Sequence, residues 1–64
     1  MDKYHLLPDD DGWKVEREDA SRASFRAKTK KEALGRAIEI ARNKKAALYI
    51  HGQDGKIQEE RSYD

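Results

Sequence analysis

The chain has 64 residues, of which 42% are charged and 36% hydrophobic, and its formal net charge is +1. This length allows one small domain with one small core, and the absence of cysteine excludes disulfides and thiolate chemistry. No segment approaches the roughly 20 apolar residues that span a bilayer, and the N-terminus does not resemble a signal peptide. We therefore expect a single cytoplasmic domain over residues 1–64 with no membrane contact.

The small net charge conceals an uneven distribution along the chain. Residues 9–19 carry two cationic and six anionic side chains, a net charge of −4, whereas residues 22–36 carry six cationic and one anionic, a net charge of +5. Residues 54–64 are acidic again, with a net charge of −2. The basic central segment is therefore the part of the chain that is suited to an anionic partner.

Three short strands are predicted before residue 29, because apolar and polar residues alternate there. The predicted strands are 3–7, 12–17 and 22–28, with turn compositions at 9–12 and 18–21. Trp13 is in phase with Val15, so we expect it to be the main anchor of the core.

The register of the first strand is left open by its composition. Both phases of the segment contain large side chains, so either Tyr4 and Leu6 or His5 and Leu7 would join the core. The two registers differ in which face of the sheet the histidine occupies.

A helix is predicted over residues 30–43. The segment from Thr29 to Glu32 has the pattern of a capping box, in which the threonine side chain accepts from the amide three residues later. At 100° per residue the apolar side chains fall on one arc. These are Ala33, Leu34, Ala37, Ile38, Ile40 and Ala41. Asn43 is the expected C-terminal stop, followed by two lysines that complement the helix dipole.

A final hairpin is predicted after the helix. The segment 47–51 alternates so that Tyr49 lies on the outer face of the sheet or in a dimer seam. Residues 52–55, Gly-Gln-Asp-Gly, form a turn composition. A four-residue loop would place Ile57 opposite Ile50 and on the same face of the sheet. The predicted architecture is α+β: a small antiparallel sheet with one helix packed on a face, in the order β-β-β-α-β-β.

Enzymatic chemistry is not indicated by the sequence. His5 and His51 lie far apart in the chain, and no other ligand stands at metal spacing from either. The aspartates at 9–11 lack the pattern of a calcium loop, Ser62 has no identifiable base, and the glycines form no phosphate-binding motif. We therefore expect a binding module without catalytic residues, cofactor, metal or small-molecule substrate.

Nucleic-acid binding is the leading functional hypothesis. If Val15 pairs with Phe25, then Lys14 lies directly opposite Arg26 on the outer face, and like charges in that position are destabilising. A cluster of cations that is retained despite this loss of stability favours a polyanionic partner, with DNA favoured over RNA. The predicted binding residues are Lys14, Arg22, Arg26, Lys28, Lys30 and Lys31.

Two other interpretations of the same residues stay open. Glu16 and Glu18 share the outer face, so the cluster would be an ordinary solvated surface of mixed charge. The alternative function is protein–protein interaction or homodimerisation through a sheet edge, or through Tyr49 and the final hairpin.

Five segments resemble a family of small bacterial proteins, the domain of unknown function numbered twenty-one eighty-eight. They are Tyr4-His5-Leu6-Leu7-Pro8, Gly12-Trp13-Lys14-Val15, Arg22-Ala23-Ser24, Thr29-Lys30-Lys31-Glu32-Ala33, and His51-Gly52-Gln53-Asp54-Gly55-Lys56-Ile57 with the later Ser62-Tyr63. The resemblance implies a bacterial or phage protein with this order of strands and helix. It implies no reaction, cofactor or substrate. Members usually have glycine after the Ser-Tyr pair, where this chain has Asp64.

Overall fold

A computed structural model describes residues 2–64 and confirms the α+β class and the order β-β-β-α-β-β. The elements are β1 (Lys3–Asp9), β2 (Gly12–Arg17), β3 (Phe25–Ala27), α1 (Lys30–Lys44), β4 (Ala47–His51) and β5 (Ile57–Ser62). No helix in the described part of the chain has the length and apolar character needed to cross a membrane.

The sheet is mixed, which corrects the expectation of a purely antiparallel one. Its strand order is β3-β2-β1-β4-β5, and β1 and β4 at the centre run parallel. The other neighbouring strands are antiparallel. The reason lies in the crossover, because α1 returns the chain to the end from which β3 started, and β4 therefore runs in the same direction as β1.

The structure decides the register that the sequence left open. Tyr4 and Leu6 are buried beneath the helix, and His5 and Leu7 lie on the other face of the sheet. Trp13 is 8% exposed and joins the same core, as predicted. Its indole contributes more apolar area to that core than any smaller side chain does.

The helix contacts the sheet through its smallest side chains. Ala33, Ala37 and Ala41 are fully buried at the centre of the predicted apolar arc, and the longer aliphatic side chains flank them half-buried. The stripe of alanines lets the helix approach the sheet closely. The interface between them is therefore filled mainly by the large side chains of the sheet. These are Tyr4, Leu6, Trp13, Val15, Leu48 and Ile50.

The helix ends at Lys44 and not at Asn43. Lys45 adopts the left-handed conformation with φ 52° and donates its N–H to the Arg42 carbonyl at 3.2 Å. The Ala46 N–H donates to the Ala41 carbonyl at 2.9 Å, which completes a Schellman motif. Lysine at this position is unfavourable by local propensity, so the burial of the following Ala46 determines where the helix stops.

The pairing of β2 with β3 is the predicted one, although β3 is shorter than predicted. Trp13 opposes Ala27, Lys14 opposes Arg26, and the third pair follows in the same register. Gly12 begins β2 at a point where an added Cβ would lie 2.3 Å from the Ala27 carbonyl oxygen, so the close approach of β3 requires glycine there.

The prediction for the final hairpin is wrong in its register. Ile57 opposes His51, whereas Ile50 opposes Glu59, because an irregularity in the ladder inserts one extra residue into β5. Ile57 is consequently 55% exposed and does not join the core. The extra residue is Gln58, whose side-chain oxygen accepts a 2.9 Å hydrogen bond from Lys30 Nζ.

Removing the N-terminal cap should cost measurable stability. Thr29 has extended backbone geometry and its Oγ1 accepts from the Glu32 N–H at 3.2 Å, so the threonine half of the capping box is present. We expect Thr29→Ala to lower the free energy of unfolding by about 1 kcal/mol, measured by urea denaturation. Thr29→Ser keeps the hydroxyl and should retain most of that stability. Equal stability of the alanine variant and the wild type would contradict the assigned helix start.

Candidate functional site: the uncovered sheet face

The side of the sheet that faces away from α1, here called the uncovered face, carries both histidines, a tyrosine and several charged side chains. It is a single surface because α1 packs against β1 to β4 from the other side only. The uncovered face comprises His5, Leu7, Lys14, Glu16, Arg26, Tyr49, His51, Ile57 and Glu60.

The two cations that motivated the nucleic-acid hypothesis lie opposite each other as predicted, but each has a carboxylate partner. Lys14 Nζ is 3.6 Å from Glu16 Oε2, and Arg26 Nη1 donates to Asp9 Oδ2 at 2.6 Å. These carboxylates offset the repulsion between Lys14 and Arg26. The pair therefore needs no external anion to be tolerated in the fold.

The other predicted binding residues are not gathered into one patch. Arg22 precedes β3 and Lys28 follows it, so they lie at opposite ends of that strand. Lys30 turns toward the helix side, where its Nζ lies 5.0 Å from the centre of the Trp13 ring. Lys31 is exposed on the first turn of the helix. Within residues 2–64, none of Arg22, Lys28 and Lys31 has a salt-bridge partner.

A chain of hydrogen bonds joins the two histidines, which the sequence analysis treated as separate. His5 Nδ1 lies 2.9 Å from His51 Nε2. The other nitrogen of His5 lies 3.0 Å from Glu18 Oε1, and the other nitrogen of His51 lies 2.8 Å from the Gly55 carbonyl oxygen. The bond to His5 lowers the pKa of the Glu18 carboxyl, and the charge of Lys3 acts in the same direction.

An aromatic platform lies beside this chain. The Tyr49 ring stacks on the His5 ring with centroids 5.1 Å apart and an interplanar angle of 20°. Glu60 is directly opposite Tyr49 across the β4–β5 ladder, and its carboxylate raises the pKa of the Tyr49 phenol. Tyr49 thus lies on the outer face, as predicted, and it is half-buried by its neighbours.

The histidine pair could not be found from sequence spacing. Its members are 46 positions apart, and they meet because β1 and β4 pair in parallel with His5 opposite Tyr49. Alternation put His51 on the same face as Tyr49, but it left the face of His5 open and did not reveal which strands were neighbours. Among residues 2–64, no group of three or more histidine, cysteine or acidic side chains is placed to hold a metal ion.

The sequence matches a family of bacterial proteins over nearly its whole length. The model of a family described as "Uncharacterized protein conserved in bacteria (DUF2188)" matches residues 4–63. The chain belongs to this family. The match includes both histidines, Tyr49 and the loop that supplies the Gly55 carbonyl, and it confirms the resemblance that the sequence motifs indicated.

A curated relative extends this result to a longer protein. The chain is 43% identical over 54 residues to "Uncharacterized protein YdaT" of Bacillus subtilis (strain 168). The alignment covers 84% of this chain but only 36% of that protein, so the chain spans about a third of the length of the relative it matches. No solved structure matches the chain.

The neutralising role of Asp9 is testable by a double-mutant cycle. We expect Asp9→Asn to lower the free energy of unfolding by about 0.5 kcal/mol at low salt, since exposed ion pairs contribute between about 0 and 1 kcal/mol. The loss should shrink in 0.5 M salt and disappear in an Arg26→Gln background, measured by urea denaturation. An equal loss in that background would show that Asp9 acts on something other than Arg26.

Proposed function

We propose that this domain is a non-enzymatic protein-interaction module that self-associates through its uncovered face. The observation that supports this proposal is the composition of that face at its centre. Tyr49 is stacked on His5 on the two central strands, with Leu7 and the 55% exposed Ile57 on the same side. An aromatic and aliphatic centre with a polar surround is typical of protein interfaces.

The charges around this centre also favour a protein occupant. Lys14 and Arg26 are each paired with a carboxylate, and Glu18 is bonded to His5. These matched groups do not repel a second copy of the face, and little desolvation energy is lost on them when they are covered.

The size of the core is a second reason to favour self-association. All three fully buried side chains on the helix are alanines, and the sequence has no cysteine that could form a disulfide across a core of this size. A single core in a domain below about 70 residues rarely supplies more than about 3–5 kcal/mol. Association of two copies would stabilise each fold by mass action.

The proposal is tested by sedimentation of the wild type and two matched variants. Tyr49→Asp places a carboxylate at the centre of the proposed interface, and we expect it to weaken association by at least about tenfold. Gln53→Asp adds the same charge in the exposed hairpin loop and should leave association unchanged. Thermal melting of the wild type should rise with protein concentration.

Two outcomes would overturn self-association through this face. The first is a wild-type protein that sediments as a monomer from micromolar to millimolar concentration. The second is a dimer that Tyr49→Asp and Gln53→Asp leave equally strong, since the interface would then lie elsewhere on the molecule.

We infer a second candidate, electrostatic binding of nucleic acid, from a different observation. Arg22, Lys28 and Lys31 are exposed, and within the described residues they have no salt-bridge partner. Lys28 and Lys31 also flank the N-cap of α1, where the helix dipole favours anions. Binding at that end would involve the loop and the helix start, with Lys14 and Arg26 in a minor role.

Titration of labelled duplex DNA at several salt concentrations tests this second candidate. The double substitution Lys28→Gln with Lys31→Gln should reduce the slope of log affinity against log salt by about 2, because each phosphate contact contributes about 0.9. The matched control, Lys44→Gln with Lys45→Gln, removes the same charge at the other end of the helix. Binding that is absent at low salt, or equally reduced by both pairs, would contradict the assignment.

A further inference from the structure

We propose that His5 and His51 form a proton-binding site that holds one proton more than two neutral imidazoles carry, placed between His5 Nδ1 and His51 Nε2. The site shares His5 with the face proposed above for self-association, but it does not require that association. It follows from the number of protons that the hydrogen-bond chain requires, counted inward from its two ends.

The hydrogen bond to Gly55, at one end of the series of bonds, fixes which nitrogen of His51 carries a proton. His51 Nδ1 lies 2.8 Å from the Gly55 carbonyl oxygen. A carbonyl oxygen only accepts hydrogen bonds, so Nδ1 is the donor and carries a proton. In a neutral imidazole that proton is the only one, which leaves His51 Nε2 with a lone pair.

The second end fixes the proton on His5. His5 Nε2 lies 3.0 Å from Glu18 Oε1. Glu18 is 44% exposed and the bond to His5 lowers its pKa, so it is an ionised carboxylate that only accepts. His5 Nε2 is therefore the donor, which leaves Nδ1 of a neutral His5 with a lone pair.

The two remaining nitrogens then face each other without a proton. His5 Nδ1 and His51 Nε2 are 2.9 Å apart, which is the separation of a normal hydrogen bond. Two lone pairs at that distance repel, whereas one added proton converts the contact into a charge-assisted hydrogen bond. Three bonds in series between two acceptors need three protons on two rings, so the pair carries a charge of +1.

The surroundings of the pair are suited to that charge. His51 is 8% exposed and the His5 side chain 19%, so the proton is shielded from water. The charged and titratable groups on the strands and loops around the pair are Lys3, Lys14, Glu16, Glu18, Tyr49, Asp54, Lys56 and Glu60. Because α1 packs on the opposite face, its cations do not face the pair. Lys14 is matched by Glu16, and Glu18 supplies the counter-charge by direct contact.

The proton consequently links three parts of the fold. The chain runs from Glu18, after β2, through β1 to β4 and the loop that precedes β5. When the proton leaves, the link between His5 and His51 is lost, whereas the backbone ladder of the final hairpin and the bond from Lys30 to Gln58 remain. The loop 52–56 should then open more readily than the rest of the sheet.

Nitrogen NMR of the histidine rings in a buffer with chelator tests the proposal directly. At neutral pH we expect three of the four ring nitrogens to be protonated, with one proton shared by the two facing nitrogens. Two fully unprotonated nitrogens, one on each ring, would overturn the proposal. The chelator removes any bound metal, so a shared signal of the two facing nitrogens that is present only in buffer without chelator would also overturn the proposal.

The pH dependence of unfolding provides a second readout, with His51→Gln as the variant. The folded pair binds one proton more than two unfolded histidines above about pH 6.5, so stability falls as pH rises. The ratio of folded to unfolded protein should fall by up to about tenfold per pH unit until the folded pair releases its proton. His51→Gln should lose this slope. A slope that persists in the variant would contradict the proposal, and if the variant does not fold the NMR result on the wild type decides.

Discussion

The parallel pairing of β1 with β4 is the constraint on which the rest of this structure depends. It joins two hairpin systems that would otherwise be separate, β1-β2-β3 on one side and β4-β5 on the other. On the helix side it brings Leu6 beside Ile50 in one core. On the other side the same alternation brings His5 beside Tyr49 and within hydrogen-bond distance of His51. The same strand register therefore determines the core on one face of the sheet and the candidate site on the other.

Charged residues that are close in sequence end on different surfaces of this fold, because neighbouring positions of a strand or helix point in different directions. The basic segment 22–36 is continuous in sequence, but its members diverge onto different surfaces. Arg26 points to the uncovered face and meets Asp9, while Lys30 turns over Trp13 on the helix side. The acidic segment 9–19 lies against the basic one because β2 and β3 are neighbours. The bipolar pattern in sequence is thus neutralised at Arg26, whereas Arg22, Lys28 and Lys31 have no ion-pair partner among residues 2–64.

The proposed interaction function rests on a face of the sheet that lies within the family match. The matched residues 4–63 include the whole uncovered face, and the relative YdaT carries a similar segment that makes up 36% of its length. Matched charges around an aromatic centre support the proposal that this face binds a protein. The histidine pair adds a feature that an interaction surface alone does not require: a proton held at the junction of the sheet and its final hairpin.

Local signals determined the elements of this protein, and tertiary structure decided how the elements meet. Alternation placed β2 and β4 at their observed bounds, and the cap at Thr29 placed the start of α1, because each pattern reflects contacts within a few residues. The phase of β1, the stop at Lys45 and the register of Ile57 depended on which side chains the core had room to bury. The meeting of His5 with His51 depended on a strand pairing that spans 46 positions. Such pairings are selected by the packing of the whole sheet, and no short stretch of sequence encodes them.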